Sequence, residues 1–188
     1  DVNATQADGA TALHWAAYLD NETIAARLVA AGAVPSTANE LGVTPLTLAC
    51  ENANPAMVEL LLRAGADPNA ALGTGETVLM SCARTGSASA VRAVLVAGAD
   101  VNAREQAEDQ TALMWAAAQR HPAIVRLLIE QGADVAARSR ERRQVISRRL
   151  QSELKYGELG RNYGTDAEET RVGGFTSLLF AVRQGDAE

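Results

Sequence analysis

The sequence predicts an all-α solenoid of stacked helix pairs, and three observations lead to this fold class. A phrase beginning with Thr recurs at a nearly constant spacing, and a second phrase containing Gly-Ala keeps the same spacing. Between these phrases, apolar residues recur every three to four positions, as on one face of a helix. A pair of helices this short cannot close a core alone, so we expect each pair to be buried against its neighbours.

The first phrase marks the start of one helix in each unit. It begins at Thr11, Thr44, Thr77, Thr111 and Thr176, so the first three intervals are 33, 33 and 34 residues. A Thr hydroxyl at this point can accept from the free amide groups of the first helical turn. The small residues that follow allow neighbouring helix backbones to approach closely.

The second phrase marks the end of a second helix in each unit. In the second unit, Asn54 stands at the N-cap position, Pro55 at the first helical position and Gly65 just past the end. The same order of residues returns in the other units. The nine predicted helices are Thr11–Tyr18, Glu22–Ala31, Pro45–Asn52, Pro55–Ala64, Val78–Arg84, Ala88–Ala97, Ala112–Gln119, Pro122–Gln131 and Ser177–Gln184.

These phrases resemble the ankyrin repeat family. The resemblance rests on Gly-x-Thr-x-Leu-His-x-Ala-Ala from Gly9 to Ala17, on Leu-Leu-x-x-Gly-Ala-Asp-x-Asn from Leu61 to Asn69 and on the 33-residue period. It covers residues 1–137 and 173–188. It implies an L-shaped α-solenoid with β-hairpin fingers, of about four full repeats plus partial repeats at both ends, that binds proteins and is not an enzyme.

The sequence departs from the family pattern at two places. The His position of the first helix is kept as His14 but is occupied by Thr47, Met80, Met114 and Leu179 in the other units, so the hydrogen-bond network that this His makes in the family is expected once at most. Asp109 replaces the finger glycine of the other units, and its finger has one extra residue. We therefore expect a distorted fourth finger.

An Arg-rich insertion interrupts the array between Arg138 and Val172. Its first part has six Arg from Arg138 to Arg149, and Ile146, Leu150 and Leu154 recur every four residues, which predicts a short amphipathic helix ending near Gly157. We expect this helix to lie against the repeats. The predicted parts are thus repeats over 1–137, the insertion over 138–172 in a finger loop, and the start of a further repeat over 173–188.

Composition excludes several classes of function. The net charge is -6, which argues against a general nucleic-acid or membrane-surface protein, and no apolar run approaches the roughly 20 residues of a membrane span. No leader sequence is visible. The absence of a capping repeat at either end predicts a fragment of a longer array, so the compartment stays open between cytoplasmic and exported for what we expect to be a soluble chain. The 16 Arg against one Lys favour a bacterial source.

Candidate catalytic and metal-binding residues are interpreted as structural. His14 occupies a family position without a nucleophile partner, His121 precedes a helix-initiating proline, and Cys50 and Cys82 are expected as buried free thiols. Trp15, Trp115 and Phe180 share one position in their helices, which is typical of packing between repeats, although a ligand platform is the alternative. No phosphate loop, nucleophile elbow or metal motif occurs, and we expect no cofactor, no metal and no enzyme activity.

What remains is recognition of a protein or peptide of unknown identity. The resemblance implies that partners meet the ends of the first helices and the finger tips. These are Tyr18 and Leu19, Glu51 and Asn52, Arg84 and Thr85, Ala118 and Gln119, and Arg183 and Gln184, with Ala10, Val43, Glu76, Gln110 and Phe175 from the fingers. The alternatives are a structural spacer whose insertion docks on its own groove, and binding of an anionic polymer through the insertion. We expect no nucleic acid and no membrane as partner.

Overall fold

A computed structural model describes residues 1–147 and 167–179 of the chain. Eight α-helices follow one another in the order α1 Ala12–Tyr18, α2 Glu22–Ala30, α3 Pro45–Glu51, α4 Pro55–Arg63, α5 Val78–Thr85, α6 Ala88–Val96, α7 Ala112–Ala118 and α8 Pro122–Glu130. Two strands come after them, β1 Glu141–Ser147 and β2 Ala167–Gly173. The ninth predicted helix is present over residues 177–179, and its remaining residues lie outside the described part.

The helices form two layers, which confirms the predicted all-α repeat solenoid. The first helices, α1, α3, α5 and α7, pack on one another in order, and the second helices, α2, α4, α6 and α8, do the same. Each first helix also packs on the second helix of its own pair. The core lies between the layers and is built from large apolar side chains such as Leu46, Leu61, Leu79 and Leu128, all of them at most 1% exposed.

Side-chain caps start most helices where the sequence predicts them. The hydroxyl groups of Thr44, Thr77 and Thr111 each accept from the backbone N–H three residues later. Asn21, Asn54 and Ser87 do the same for α2, α4 and α6. Even at the ninth predicted helix, the Leu179 N–H donates to Thr176 Oγ1 at 3.4 Å. The Thr, Asn and Ser residues that the sequence places at the helix starts therefore act as N-caps in the structure.

A row of side-chain hydrogen bonds joins the turns that follow the second helices. Where the residue is Asn, its side chain makes two bonds to the next unit. Its Nδ2 donates to the carbonyl group of a glycine, and its Oδ1 accepts from the backbone N–H of the residue two positions after that glycine. The amide steps are Asn3 on Gly32 and Val34, Asn69 on Gly98 and Asp100, and Asn102 on Gly132 and Asp134, with distances of 2.8 to 3.1 Å. Ser36 performs both functions with one hydroxyl, on Gly65 and Asp67. We call this row the turn ladder.

The loops before each first helix form a second row, which we call the finger loops: residues 5–10, 38–43, 71–76 and 104–110. Backbone bonds join neighbouring finger loops, as from Glu40 N–H to the Asp8 carbonyl at 3.0 Å and from Gln106 N–H to the Thr74 carbonyl at 2.9 Å. Isolated antiparallel bridges pair Thr5 with Thr11 and Ala71 with Thr77. The loops thus stand side by side along one edge of the stack.

The fourth finger loop accommodates its extra residue through one buried carboxylate. Glu105 is only 6% exposed, and its carboxylate accepts from the backbone N–H groups of Ala107, Glu108 and Gln110 at 2.6 to 3.0 Å. Asp109 takes the glycine's place with φ of 54°, in the left-handed region where Gly9, Gly42 and Gly75 lie near 82°. Asp is among the few residues that tolerate this conformation.

The predicted amphipathic helix in the insertion is wrong over the described residues. Residues 141–147, including Ile146, form β1, which pairs antiparallel with β2 from Glu141 opposite Gly173 to Ser147 opposite Ala167. The repeats fix the start and the end of the insertion next to each other, since Ser139 and Phe175 exchange two hydrogen bonds of 3.0 Å. Pairing then extends an existing ribbon, and β-branched Val145 and Ile146 suit a strand. Leu150 and Leu154 lie outside the described residues.

The expectation of free thiols is also wrong, because Cys50 and Cys82 form a disulfide. Both side chains are fully buried, and their Cα atoms are 4.6 Å apart on α3 and α5. Small neighbours such as Ala49 and Ala83 allow this close approach of the two backbones. The 32-residue separation is one residue short of the 33-residue period, so the two Cys stand one position apart in adjacent first helices.

Candidate partner-binding surface

The candidate site is the surface formed by the ends of the first helices and the finger loops, which we call the recognition surface. At its α1 end, large apolar side chains stand in solvent: Trp15 is 45%, Tyr18 58% and Leu19 68% exposed. The rings of Trp15 and Tyr18 meet edge to face, with centroids 5.9 Å apart. These three residues form the apolar patch. Exposed apolar groups that cluster in this way are typical of interaction sites.

A charged cluster lies at the centre of the recognition surface, on α3, α5, α7 and the third finger loop. The Arg84 guanidinium lies 3.6 Å from Glu51 and 3.4 Å from Glu76 and is placed over the Trp115 ring at 5.4 Å from the centroid. Glu76 also accepts from the buried Ser81 hydroxyl at 3.0 Å. We call these residues the Arg84 cluster. Its members come from three adjacent units, so it exists only when the units are stacked.

Two residues predicted to meet a partner also bond the scaffold. Asn52 Nδ2 donates to the carbonyl groups of Ala17 and Tyr18 at 2.9 and 3.0 Å, and Thr85 Oγ1 bonds the carbonyl groups of Cys50 and Cys82 at 2.9 and 3.1 Å. Asn52 therefore bonds the last two carbonyl groups of α1, and Thr85 bonds one carbonyl group near the end of α3 and one of its own helix α5; carbonyl groups at a helix end lack partners within that helix. Sequence reasoning missed this role because the acceptors are one repeat away.

His121 occupies the helix-start position that the sequence predicts but makes no side-chain cap for its own helix. Its Nε2 lies 3.1 Å from the Arg84 carbonyl, at the end of α5. The ring also fills the space beside Gly86, where an added Cβ would stand 2.8 Å from the ring carbon Cε1. Like Asn52, His121 therefore joins the end of one first helix to the next unit.

The other residues predicted to contact a partner differ in how much of their side chain is exposed to solvent. Val43 and Gln110 are half-buried in their finger loops, Gln119 is exposed after α7, and Phe175 is half-buried beside Ser139. Ala10 is buried and Ala118 half-buried. Arg183 and Gln184 lie outside the described residues, as does Phe180 of the predicted aromatic row. The structure therefore brings Tyr18, Leu19, Glu51, Glu76 and Arg84 onto one continuous surface.

His14 links the first unit to the second finger loop. Its Nδ1 accepts from the Thr11 backbone N–H at 3.1 Å, so the ring proton is on Nε2, which donates to the Val43 carbonyl at 3.0 Å. Burial lowers the pKa of His14, and the Val43 carbonyl and the Asp8 carboxylate oppose this shift in part. Thr47 takes the equivalent position in the next unit and bonds only Thr44 of its own helix start. The ring is thus a structural link between units.

The carboxylates of the Gly-Ala-Asp turns bond their own loops. Asp67, Asp100 and Asp134 each accept from the backbone N–H two residues later at 2.8 to 2.9 Å, as the sequence predicts. Within residues 1–147 and 167–179, no three His, Cys, Asp or Glu side chains are grouped so that they could hold a metal ion. No helix in this part of the chain is both long and apolar enough to cross a bilayer.

Comparison with protein families agrees with this geometry. A family model described as ankyrin repeats, in three copies, matches residues 1–72 and again residues 69–139. The chain belongs to the ankyrin repeat family, whose members generally act as non-enzymatic modules for protein–protein interaction. No curated protein matches the sequence.

Proposed function

We propose that this chain is a non-catalytic interaction module that binds a protein or peptide partner through the recognition surface. The observation that supports this most directly is the apolar patch, in which Trp15, Tyr18 and Leu19 are all at least 45% exposed. Aromatic side chains and Arg are enriched among residues that dominate binding energy at protein interfaces. The patch and the Arg84 cluster supply both types on adjacent helices.

The stack keeps this surface rigid. Asn52, Thr85 and His121 join the ends of α1, α3 and α5 to the next unit, and the finger loops are bonded to one another. A surface that is already ordered loses little conformational entropy when a partner binds. We therefore assign Asn52 and Thr85 to positioning, and Tyr18, Leu19, Val43, Glu51, Glu76, Arg84, Gln110, Gln119 and Phe175 to contact with the partner; Arg183 and Gln184 keep that assignment from the sequence alone.

The finer organisation belongs to the same proposal. We assign a partial first unit and then four repeats with hairpin fingers over residues 1–137, an insertion in the next finger loop over 138–172, and the start of a further repeat over 173–188. Arg140 supports a finger rather than a segment folded into the groove, since its backbone N–H bonds the Glu108 carbonyl and its guanidinium pairs with Asp109 at 3.2 and 3.3 Å. This contact holds the base of the insertion to the fourth finger loop.

The test is a selection of binders from an unbiased displayed peptide library against the whole chain. For a selected peptide, the double variant Tyr18→Ala/Leu19→Ala should weaken binding by at least about tenfold, the scale of a hot spot in an interface. Val96→Ala is the matched control, because Val96 is 84% exposed on α6 in the second-helix layer. Fluorescence anisotropy measures both. Binding that Val96→Ala weakens as much as the double variant, or no binder at all, would contradict the proposal and favour the spacer alternative.

A further inference from the structure

The recognition surface is acidic, and its first two units, which hold the apolar patch and the helix beside it, have no basic residue to offset this charge. Residues 5–18 and 38–51, which hold the first two finger loops with α1 and α3, contain Asp8, Glu40 and Glu51 and neither Lys nor Arg. All three carboxylate residues are exposed. The Glu40 N–H bonds the Asp8 carbonyl at 3.0 Å, so the two finger tips that carry the first two of them are adjacent.

The layer of second helices is less negatively charged. Over all four units, the finger loops and first helices (residues 5–18, 38–51, 71–85 and 104–118) have seven acidic and two basic residues, a net charge of -5. The second helices and their turns (residues 19–37, 52–70, 86–103 and 119–137) have seven acidic and five basic residues, a net charge of -2. A field of this kind raises the local concentration of positively charged partners and discourages negative ones.

The two basic residues of the recognition side are already engaged. Arg84 lies between Glu51 and Glu76 and stacks on Trp115, and Arg104 Nη1 donates to the carbonyl groups of Asp109 and Arg138 at 3.4 and 3.0 Å. An acidic group of a partner would have to compete with Glu51 and Glu76 of the chain itself for the Arg84 guanidinium. A basic group would meet the exposed Asp8 and Glu40, and it would share Glu51 with Arg84, since the Glu51 side chain keeps 42% of its surface in solvent.

We infer that the recognition surface selects a positively charged protein segment that carries an apolar or aromatic anchor, an inference that rests on the proposed function and specifies its partner. The anchor would lie on Trp15, Tyr18 and Leu19, and the Lys or Arg side chains beside Asp8, Glu40 and Glu51. An Arg suits this surface best, because one guanidinium can pair with a carboxylate while it stacks on an aromatic ring. Arg84 already makes this double contact within the chain.

The experiment uses the same library selection and reads the charge of the enriched peptides. Peptides that lose binding to Tyr18→Ala/Leu19→Ala should have a positive net charge and at least one large apolar residue. With one of them, Glu40→Gln and Glu51→Gln should each weaken binding about 2- to 5-fold, the range for an exposed charge pair. Glu59→Gln on α4 is the matched control and should change binding by less than that. Raising the salt should weaken binding to the unsubstituted chain more than to Glu40→Gln/Glu51→Gln.

Several results would overturn the inference. Enriched peptides that are neutral or acidic, yet still depend on Tyr18 and Leu19, would refute the basic partner and leave the interaction function intact. The absence of any peptide that depends on those residues would count against both. A dimer in sedimentation velocity that is lost in Arg142→Ser/Arg143→Ser, and that competes with the peptides, would assign the surface to the insertion of a second copy.

Discussion

Single residues decide how the units are joined, and His14 is the clearest case. Its Nδ1 accepts from the Thr11 backbone N–H at 3.1 Å and lies 2.9 Å from the Thr11 hydroxyl oxygen, while its Nε2 lies 3.0 Å from the Val43 carbonyl oxygen. The bond from the Thr11 N–H requires an unprotonated Nδ1 and therefore the neutral ring. Protonation would turn Nδ1 into a donor that faces the Thr11 N–H. Burial disfavours the charged ring and lowers the pKa of His14, while the Val43 carbonyl and the Asp8 carboxylate oppose part of this shift.

We therefore expect His14 to make stability depend on pH. Because the pKa is lower in the folded chain, the unfolded chain binds the proton more readily, and folding loses stability as pH falls. The contribution is complete above the ordinary value of 6.5 and declines as pH falls below it, through the lowered pKa. Thermal unfolding between pH 8 and pH 5 measures it as a fall in Tm.

The matched control is His14→Thr, which copies the Thr44–Thr47 pair of the next unit. This variant should be less stable than the original chain at pH 8 and should show a shallower fall in Tm on acidification. An equal fall in the two proteins would mean that His14 is not the titrating group.

Residue roles could be predicted from the sequence only where partner and residue are close along the chain. The caps at Thr44 and Thr77 and the aspartates of the turns were predicted correctly, because donor and acceptor lie within three residues of each other. The bonds that Asn52 and Thr85 make to the preceding unit were not predicted, since their acceptors there lie 34 to 35 residues away. The role of Glu105 was not predicted for a different reason: no sequence motif is typical of a carboxylate that accepts hydrogen bonds from the backbone of its own loop.

For the secondary-structure elements, the sequence predicted where the helices begin and end, but it did not predict which elements are joined to one another. Every described helix starts within one residue of its predicted start and ends within one residue of its predicted end. The disulfide and the β1–β2 ribbon both depend on which segments the stack places side by side. Local patterns do not carry that information, and the four-residue recurrence of Ile146, Leu150 and Leu154 therefore suggested a helix.

The disulfide should stabilise the middle of the stack. It closes a loop of 32 residues between α3 and α5, and a bond of this kind stabilises a fold by about 2 to 4 kcal/mol, chiefly by restricting the unfolded chain. The double variant Cys50→Ala/Cys82→Ala should lose about that amount of free energy of unfolding in urea. Because Ala leaves space in the core, the oxidised and the reduced forms of the unsubstituted chain give the cleaner comparison.

A reducing agent should lower the stability of the unsubstituted chain and leave that of the double variant unchanged. The same response in both proteins would show that the reductant acts elsewhere. Mass spectrometry after alkylation under denaturing conditions reports directly on the thiols, and oxidised protein should take up no alkyl group.

For the whole molecule, a linear stack predicts that the stability lost on a core substitution depends on the position of the unit in the stack as well as on the side chain removed. Leu61 is fully buried on α4, between α2 and α6, whereas Leu28 holds the equivalent position on α2 and is only half-buried at one end of the described stack. Leu61→Ala should cost about 2 to 5 kcal/mol, the range for a buried leucine. Leu28→Ala should cost less, because it removes fewer contacts.

Urea denaturation of both variants measures the two costs. A loss below about 1 kcal/mol for Leu61→Ala, at the low end of mutational effects, would mean that Leu61 does not contribute to the core between units. Equal losses would contradict the linear stack, in which an interior unit has two interfaces and a terminal unit fewer.

The turn ladder has one further consequence. It runs through Asn3, Ser36, Asn69 and Asn102, and the next equivalent position is Ala136, whose methyl group can neither donate nor accept a hydrogen bond. The 35 residues of the insertion follow almost at once. The insertion therefore lengthens the chain directly after a position that cannot make a ladder bond, while Ser139 and Phe175 keep its two ends together. An array of this kind can take extra residues at such a position without the loss of a ladder bond.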